Sequence, residues 1–195
     1  DTGTSEPGIS RIAISTGGGD APGLNAVIRA ATSAARNRGW DVIGIRDGFN
    51  GLLAPDDYPS GGVIDLSRDA VRGIAHLGGT IIGTTNRGNP TSYPVQDPDG
   101  SWRSVDRSDE LLAALDELGV DAVISVGGDG SLAIAHHLHQ AAIRRAGRPI
   151  RFIGVPKTID NDLENTLSTF GFDTAVSFAS ECIDRLFSTA TSHGR

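Results

Sequence analysis

Three times along this chain a short apolar run, rich in β-branched residues, ends abruptly in an unusual loop. "RIAIST" (11–16) leads into "GGGDAPG", "DAVISVG" (121–127) into "GDGS", and "PIRFIGV" (149–155) into "PKTIDND". After the first loop, "LNAVIRAATSAARNRG" places Leu24, Val27, Ile28, Ala31 and Ala35 on one helical face and stops at Gly39. Further helices are expected over "SDELLAALDELG" (108–119), with a Ser N-cap and an acidic first turn, over 131–147, and over 174–191. "DVIGI" (41–45) and "TIIGTT" (80–85) read as additional strands, with a helix over "DLSRDAVRGIA" before the latter. Strand and helix therefore alternate with short connections. Such a chain must use βαβ crossovers, which predicts an α/β fold: a mainly parallel sheet with helices on both faces. Residues 86–107 break the rhythm. They are polar and rich in turn formers, and read as a functional lid or a floppy surface loop.

In a doubly wound sheet the ligand lies beyond the carboxyl ends of the strands. Parallel strands would deliver all three loops to that one edge. Glycines between a strand and a helix let backbone N–H groups approach an anion, and the helix N-terminus adds a favourable dipole. "VGGDGS" (126–131) fits this, with Ser131 starting its helix, and so does "GGGDAPG", where Pro22 suits a first turn. No G-x-x-x-x-G-K-[ST] motif occurs, and Pro22 stands where a dinucleotide fingerprint needs its third glycine.

Asp129 would repel a phosphate unless a Mg²⁺ ion lay between them, since that ion takes one or two carboxylates along with phosphate oxygens. Asp160 and Asp162 offer one carboxylate for a hydroxyl proton and one to orient neighbours or metal. Between the glycine loop and this pair stands Lys157, the only lysine in the sequence. A compact ammonium suits a transferring phosphate where a guanidinium would be too wide. Together these parts describe phosphoryl transfer to an alcohol.

The rest of the composition narrows the alternatives. A formal net charge of -7 argues against a broad nucleic-acid surface. No apolar run is long enough to span a membrane. The single cysteine, Cys182, excludes a disulfide framework, suits a reducing cytoplasm, and falls in an apolar helical pattern that reads as packing. His136 and His139 share a helix face without carboxylate or cysteine company, and Arg144 and Arg145 suit the last turn of their helix.

The motifs "TGGGDAPGLNAVIR", "GGTIIGTT", "VGGDGS", "PKTIDND" and the closing "IDRL…SHGR" stand in the order found in the 6-phosphofructokinases, which the chain resembles from residue 11 to 195. The resemblance implies that Gly18 contacts the donor phosphates. It implies that Gly128, Asp129, Gly130 and Ser131 form the nucleotide-phosphate loop, with Asp129 serving Mg²⁺. Thr158, Ile159 and Asp160 resemble the segment that meets the sugar phosphate, with Asp160 the general base toward the 1-hydroxyl of fructose 6-phosphate and Asp162 its support. Arg195 matches an arginine that reaches the sugar phosphate of a neighbouring subunit, implying a homodimer or homotetramer. On this reading residues 1–10 are a flexible lead-in, 11–155 the donor-binding domain, and 156–195 the start of a sugar-phosphate domain.

The donor choice implied by the resemblance turns on two positions. Gly130 resembles the ATP-type loop, whereas Lys157 resembles the pyrophosphate type and some ATP-dependent members. A side-chain block is harder to evade than an extra cation, so ATP is expected over pyrophosphate, with a non-catalytic binding subunit as the remaining alternative. Where simpler bacterial members carry a donor-binding arginine, Asn86 stands, with Arg87 one residue further and able to take the task. Arg29 matches one effector-site arginine, but Ser33 and Phe187 stand at two others, so the usual bacterial effector site is expected to be incomplete.

Overall fold

The computed structural model describes residues 8–147 and 149–195. Residues 1–7, most of the expected lead-in, lie outside the described residues. A five-stranded sheet runs in the order β3-β2-β1-β6-β7. Its strands are β1 (Arg11–Thr16), β2 (Asp41–Ile45), β3 (Val63–Asp65), β6 (Ala122–Gly127) and β7 (Arg151–Pro156). All neighbours pair in parallel except β3, which closes one edge antiparallel to β2.

The alternation of side chains along the strands splits the core in two. Ile12, Ile14, Val42 and Ala122 pack on one face with Ile28 and Ala35 of α1 (Leu24–Asn37). Ala13, Ile45 and Val123 face the other way, onto α2 (Asn50–Leu53), α3 (Ser108–Glu117) and α4 (Asp129–Arg144). The central strands are apolar on both sides because both sides are covered. From β1 the chain moves outward to β2 and β3, then returns across β1 to β6 and β7. The loops after β1 and β6 therefore diverge at a topological switch point, where such sheets bind ligands.

Four local expectations need correction. Residues 80–85 are not a strand: Gly83 adopts φ 74°, Gly83 N–H turns back to the Thr80 carbonyl, and the buried Asn25 side chain accepts from Ile81 N–H. Nor does a helix form over 65–75. The Ser67 hydroxyl accepts from Ala70 N–H and Gly73 has φ 73°, leaving isolated turns, yet Leu66, Val71 and Ile74 still reach the core. Ser108 is the first helical residue of α3 rather than its cap: Arg107 is the N-cap without a side-chain bond, and the Asp106 carboxylate before it accepts from Ser108 N–H at 2.8 Å. Helix α4 begins at Asp129 rather than Ser131, with Gly128 as its extended N-cap.

The stretch 86–107 is ordered as an antiparallel hairpin of β4 (Tyr93–Gln96) and β5 (Trp102–Val105). Arg107 fastens its base. Its backbone N–H donates to Pro90, its guanidinium donates to the Leu53 carbonyl and Glu110, and it lies 4.6 Å from the Tyr93 ring centre. The last helix, α5 (Phe172–Ser192), has no buried residue at all. Cys182 on it is half-buried, so the expected packing role has no enclosing core among the described residues.

Candidate active site

The loops after β1, β6 and β7 meet around one cavity of about 550 Å³. Backbone hydrogen bonds stitch them together. Gly17 N–H donates to Val126 O at 2.9 Å, and Lys157 N–H donates to Gly127 O at 3.0 Å. The loops can approach this closely because a Cβ on Gly17 would stand 2.6 Å from the Ser131 hydroxyl, and one on Gly127 2.4 Å from its Cβ. These glycines make room for Ser131, which sits in the first turn of α4. The fourth wall comes from 84–90. Thr84 Oγ1 donates to Gly18 O at 2.7 Å, and Gly18 N–H donates to Thr85 O at 3.0 Å.

Gly130 and Gly19 differ from these packed glycines. Neither has positive φ, and a Cβ added at either would meet nothing within 4 Å. Neither backbone conformation nor packing requires glycine there. Both line the cavity, so what their lack of a side chain provides is open space facing a ligand. Because α4 starts at Asp129, the N–H groups of its first turn have no helical acceptor and are free for an anion.

The Lys157 side chain is buried, with its ammonium donating to the Gly19 carbonyl. Burial lowers its pKa, while the neighbouring Asp20 pulls the other way. An ammonium carries three donors, so one holds the glycine loop and others remain for a ligand. Asp129 and Asp160 are exposed, and neither carboxylate has a hydrogen bond or ion pair among the described residues. Asp162 is held: Thr158 Oγ1 donates to it at 2.7 Å and accepts from Asp160 N–H at 3.1 Å. Asp162 thus steadies Asp160 through Thr158. Asn161, at φ 55°, accepts from Thr169 N–H and completes the turn.

Of the residues expected from sequence, Gly18, Arg87, Gly128, Asp129, Gly130, Ser131, Lys157, Thr158, Ile159, Asp160 and Asp162 all line the cavity. Arg195 does not. It follows the 21-residue α5, whose length carries it roughly 30 Å from the start of that helix. Sequence reading passed over Asp20, Phe49 and Ile134, which also line the cavity. Asp20 stood in a quoted loop. Phe49 and Ile134 look like ordinary core residues in sequence, and no local signal distinguishes them.

Among the described residues no three acidic, histidine or cysteine side chains form a metal cage. Asp129, an exposed carboxylate lining the cavity, is of the type that suits an ion taking one or two carboxylates and completing its shell with phosphate oxygens and water. Among the described residues no helix is long and apolar enough to cross a membrane.

A family model described as Phosphofructokinase matches residues 11–195. An ATP-dependent 6-phosphofructokinase 1 of Nostoc sp. is 48% identical over 185 residues, covering 95% of this chain and 48% of that protein. A pyrophosphate–fructose 6-phosphate 1-phosphotransferase of Amycolatopsis mediterranei is 45% identical over 186 residues, covering 95% and 47%. The solved phosphofructokinase of Saccharomyces cerevisiae superimposes with TM-score 0.73 at 29% identity, covering 95% of this chain and 25% of that one. The chain spans about half the length of the curated relatives it matches.

Proposed function

The chain belongs to the phosphofructokinase family, and on that premise we propose that its cavity is the donor half and catalytic base of an ATP-dependent 6-phosphofructokinase. The reaction is phosphoryl transfer from ATP to the 1-hydroxyl of fructose 6-phosphate, a step of glycolysis. The observation that carries this reading is Gly130. It sits at the second position of α4, needs no glycine for its own conformation, and leaves open the space that an aspartate would fill with charge.

In this reading Gly128, Gly130 and Ser131 present backbone donors to the donor phosphates, Gly18 lets the first glycine loop lie close beside them while its own N–H is held by Thr85, and Arg87 closes over them from the segment before the hairpin. Asp129 holds Mg²⁺, which when bound neutralises charge on the phosphate oxygens. Lys157 fixes the first glycine loop through Gly19 and offers its remaining protons to the transferring phosphate. Asp160 takes the proton of the attacking hydroxyl, held in place by Thr158 and Asp162. Thr158 and Ile159 form the near edge of the sugar-phosphate pocket.

Residues 156–195 are the start of the sugar-phosphate domain, and 11–155 the donor domain. The uncovered face of α5 supports this, as an amphipathic helix needs a surface to pack on. Arg195 serves a neighbouring subunit of a homodimer or homotetramer, which agrees with its position at the far end of α5. A cytoplasmic location belongs to the same reading, since a lone cysteine suits a reducing compartment.

The test is fructose 1,6-bisphosphate production by the natural full-length protein, given fructose 6-phosphate, Mg²⁺ and either ATP or pyrophosphate. Preference for ATP supports the role given to Gly130. Preference for pyrophosphate would transfer donor choice to Lys157. Binding without turnover would make this a non-catalytic subunit.

A further inference from the structure

One partly buried polar connection leads from outside the cavity to its phosphate loop, and nothing in the proposed chemistry uses it. It begins at Tyr58, on the short turn after α2. Tyr58 donates its phenolic hydrogen to Asp47 Oδ2 at 3.0 Å. Asp47 is one of few non-glycine residues with positive φ, at 47°. An aspartate held in that region needs the surroundings to fix it.

Asp47 reaches the far wall in two ways. Its N–H donates to Ile82 O at 3.0 Å, and its Oδ1 lies 2.0 Å from where a Cβ on Gly83 would stand. Gly83 O accepts from the buried Thr16 hydroxyl at 2.6 Å. The next two residues, Thr84 and Thr85, hold Gly18 by its carbonyl and its N–H. The residue after Asp47 is also engaged: Gly48 O accepts from the buried Ser15 hydroxyl at 3.0 Å. Asp47 thus stands where the exits of β1 and β2 meet the 80–85 segment, and its carboxylate is the wedge that sets their spacing.

We infer that Tyr58 is a positioning residue for the phosphate donor: its hydroxyl fixes the Asp47 carboxylate, which holds Gly83–Thr85 against Gly18. Tyr58 does not line the cavity and touches no reacting group. Its influence passes from a hydrogen bond to Asp47, through the close packing of that carboxylate on Gly83 and along the chain, to the hydrogen bonds that Thr84 and Thr85 make with Gly18. Asp47 accepts the phenol as a charged partner, which makes this bond stronger than a neutral one. The inference rests on the reading of the cavity as a donor site, and concerns only how that site is held.

The experiment compares Tyr58→Phe with the unaltered full-length protein. MgATP and Mg-pyrophosphate binding are measured by calorimetry, and KM is measured for each substrate. The expected result is a loss of about three- to tenfold in donor affinity and donor KM, of the size of one hydrogen bond. The KM for fructose 6-phosphate stays within about twofold. Asp47→Asn keeps a neutral acceptor oxygen for the phenol and loses less donor affinity than Asp47→Ala, which removes the acceptor; equal losses in the two would overturn the inference. Adding Tyr58→Phe to Asp47→Ala costs nothing more, since the two act through one connection.

Unchanged donor affinity in Tyr58→Phe, even with a lowered Tm, would overturn the inference by reducing Tyr58 to a structural residue. Equal losses for both substrates would overturn it as well. If the unaltered protein binds neither donor, the reading of the cavity itself fails.

Discussion

Helices α1 and α5 are built alike and end differently. Each follows a left-handed glycine, Gly23 at φ 109° and Gly171 at φ 94°, and neither has a side-chain cap. Each carries a clear apolar stripe. Yet Leu24 and Ile28 of α1 are wholly buried, whereas Phe178 and Phe187 of α5 are 67% and 72% exposed. The glycines are even packed against one another's segments: a Cβ on Gly23 would strike the Phe170 ring, and one on Gly171 the Pro22 carbonyl. The two helices start from adjoining points beside the site and run into different surroundings. Amphipathicity announces that a face must be covered; it does not say what covers it.

The same contrast runs through the cavity. Its glycine-loop side is stitched by backbone bonds between Gly17, Gly18, Gly127 and their partners, while Asp160 is exposed. The sharpest way to probe that boundary is Asp160→Asn in the full-length protein. Removal of a general base is expected to cost about 10²–10⁴-fold in kcat, with calorimetric donor affinity unchanged. Near-normal turnover would show that Asp160 is not the base.

A stability comparison tests the helices directly. Ile28→Ala is expected to destabilise the 195-residue chain by about 2–5 kcal/mol in denaturant unfolding. Leu186→Ala should fall within about 0.5 kcal/mol, because its side chain leaves no cavity behind. Equal effects would mean that the α5 face is covered after all.

Gly130→Asp should weaken ATP use more than pyrophosphate use, by about tenfold or more, equal to about 1.4 kcal/mol. Parallel losses for both donors would show that this position does not select between them.

The effect confined to the narrowest range of conditions is a pH dependence. Burial first, then the hydrogen bond and charge of Asp47, push the Tyr58 phenol up to about 12 from 10.0. The folded state therefore holds this proton more tightly than the unfolded chain. Its contribution to stability is complete below pH 10 and is lost as pH rises from there through about 12. Tyr58→Phe should flatten that part of the stability profile, measured by thermal unfolding.

Much of the candidate site is legible in the sequence. Asp129, Lys157 and Asp160 stood in loops whose glycines, carboxylates and lone lysine made little sense as turns alone. The strands leading to them were recognisable because buried parallel strands are apolar throughout. The failures share one cause. Residues 80–85 have strand composition, but Asn25 and Asp47, distant in sequence, occupy the backbone groups that a neighbouring strand would need. Residues 65–75 have helical spacing, yet Ser67 and Gly73 close local turns that still bury Leu66, Val71 and Ile74. The hairpin at 93–105 escaped because its order depends on Arg107 reaching Leu53 and Tyr93.

The sequence by itself determined the α/β class, the convergence of three loops, and the residue types those loops bring to the cavity. Each of these follows from local periodicity and from residue type at a strand end. Only the tertiary structure decided that Lys157 engages Gly19, that Thr158 links Asp162 to the Asp160 backbone, and that the Asp47 carboxylate lies against Gly83. Those relations join residues up to 138 positions apart. They depend on which side of a shared sheet edge each side chain enters, and no window of sequence contains that information.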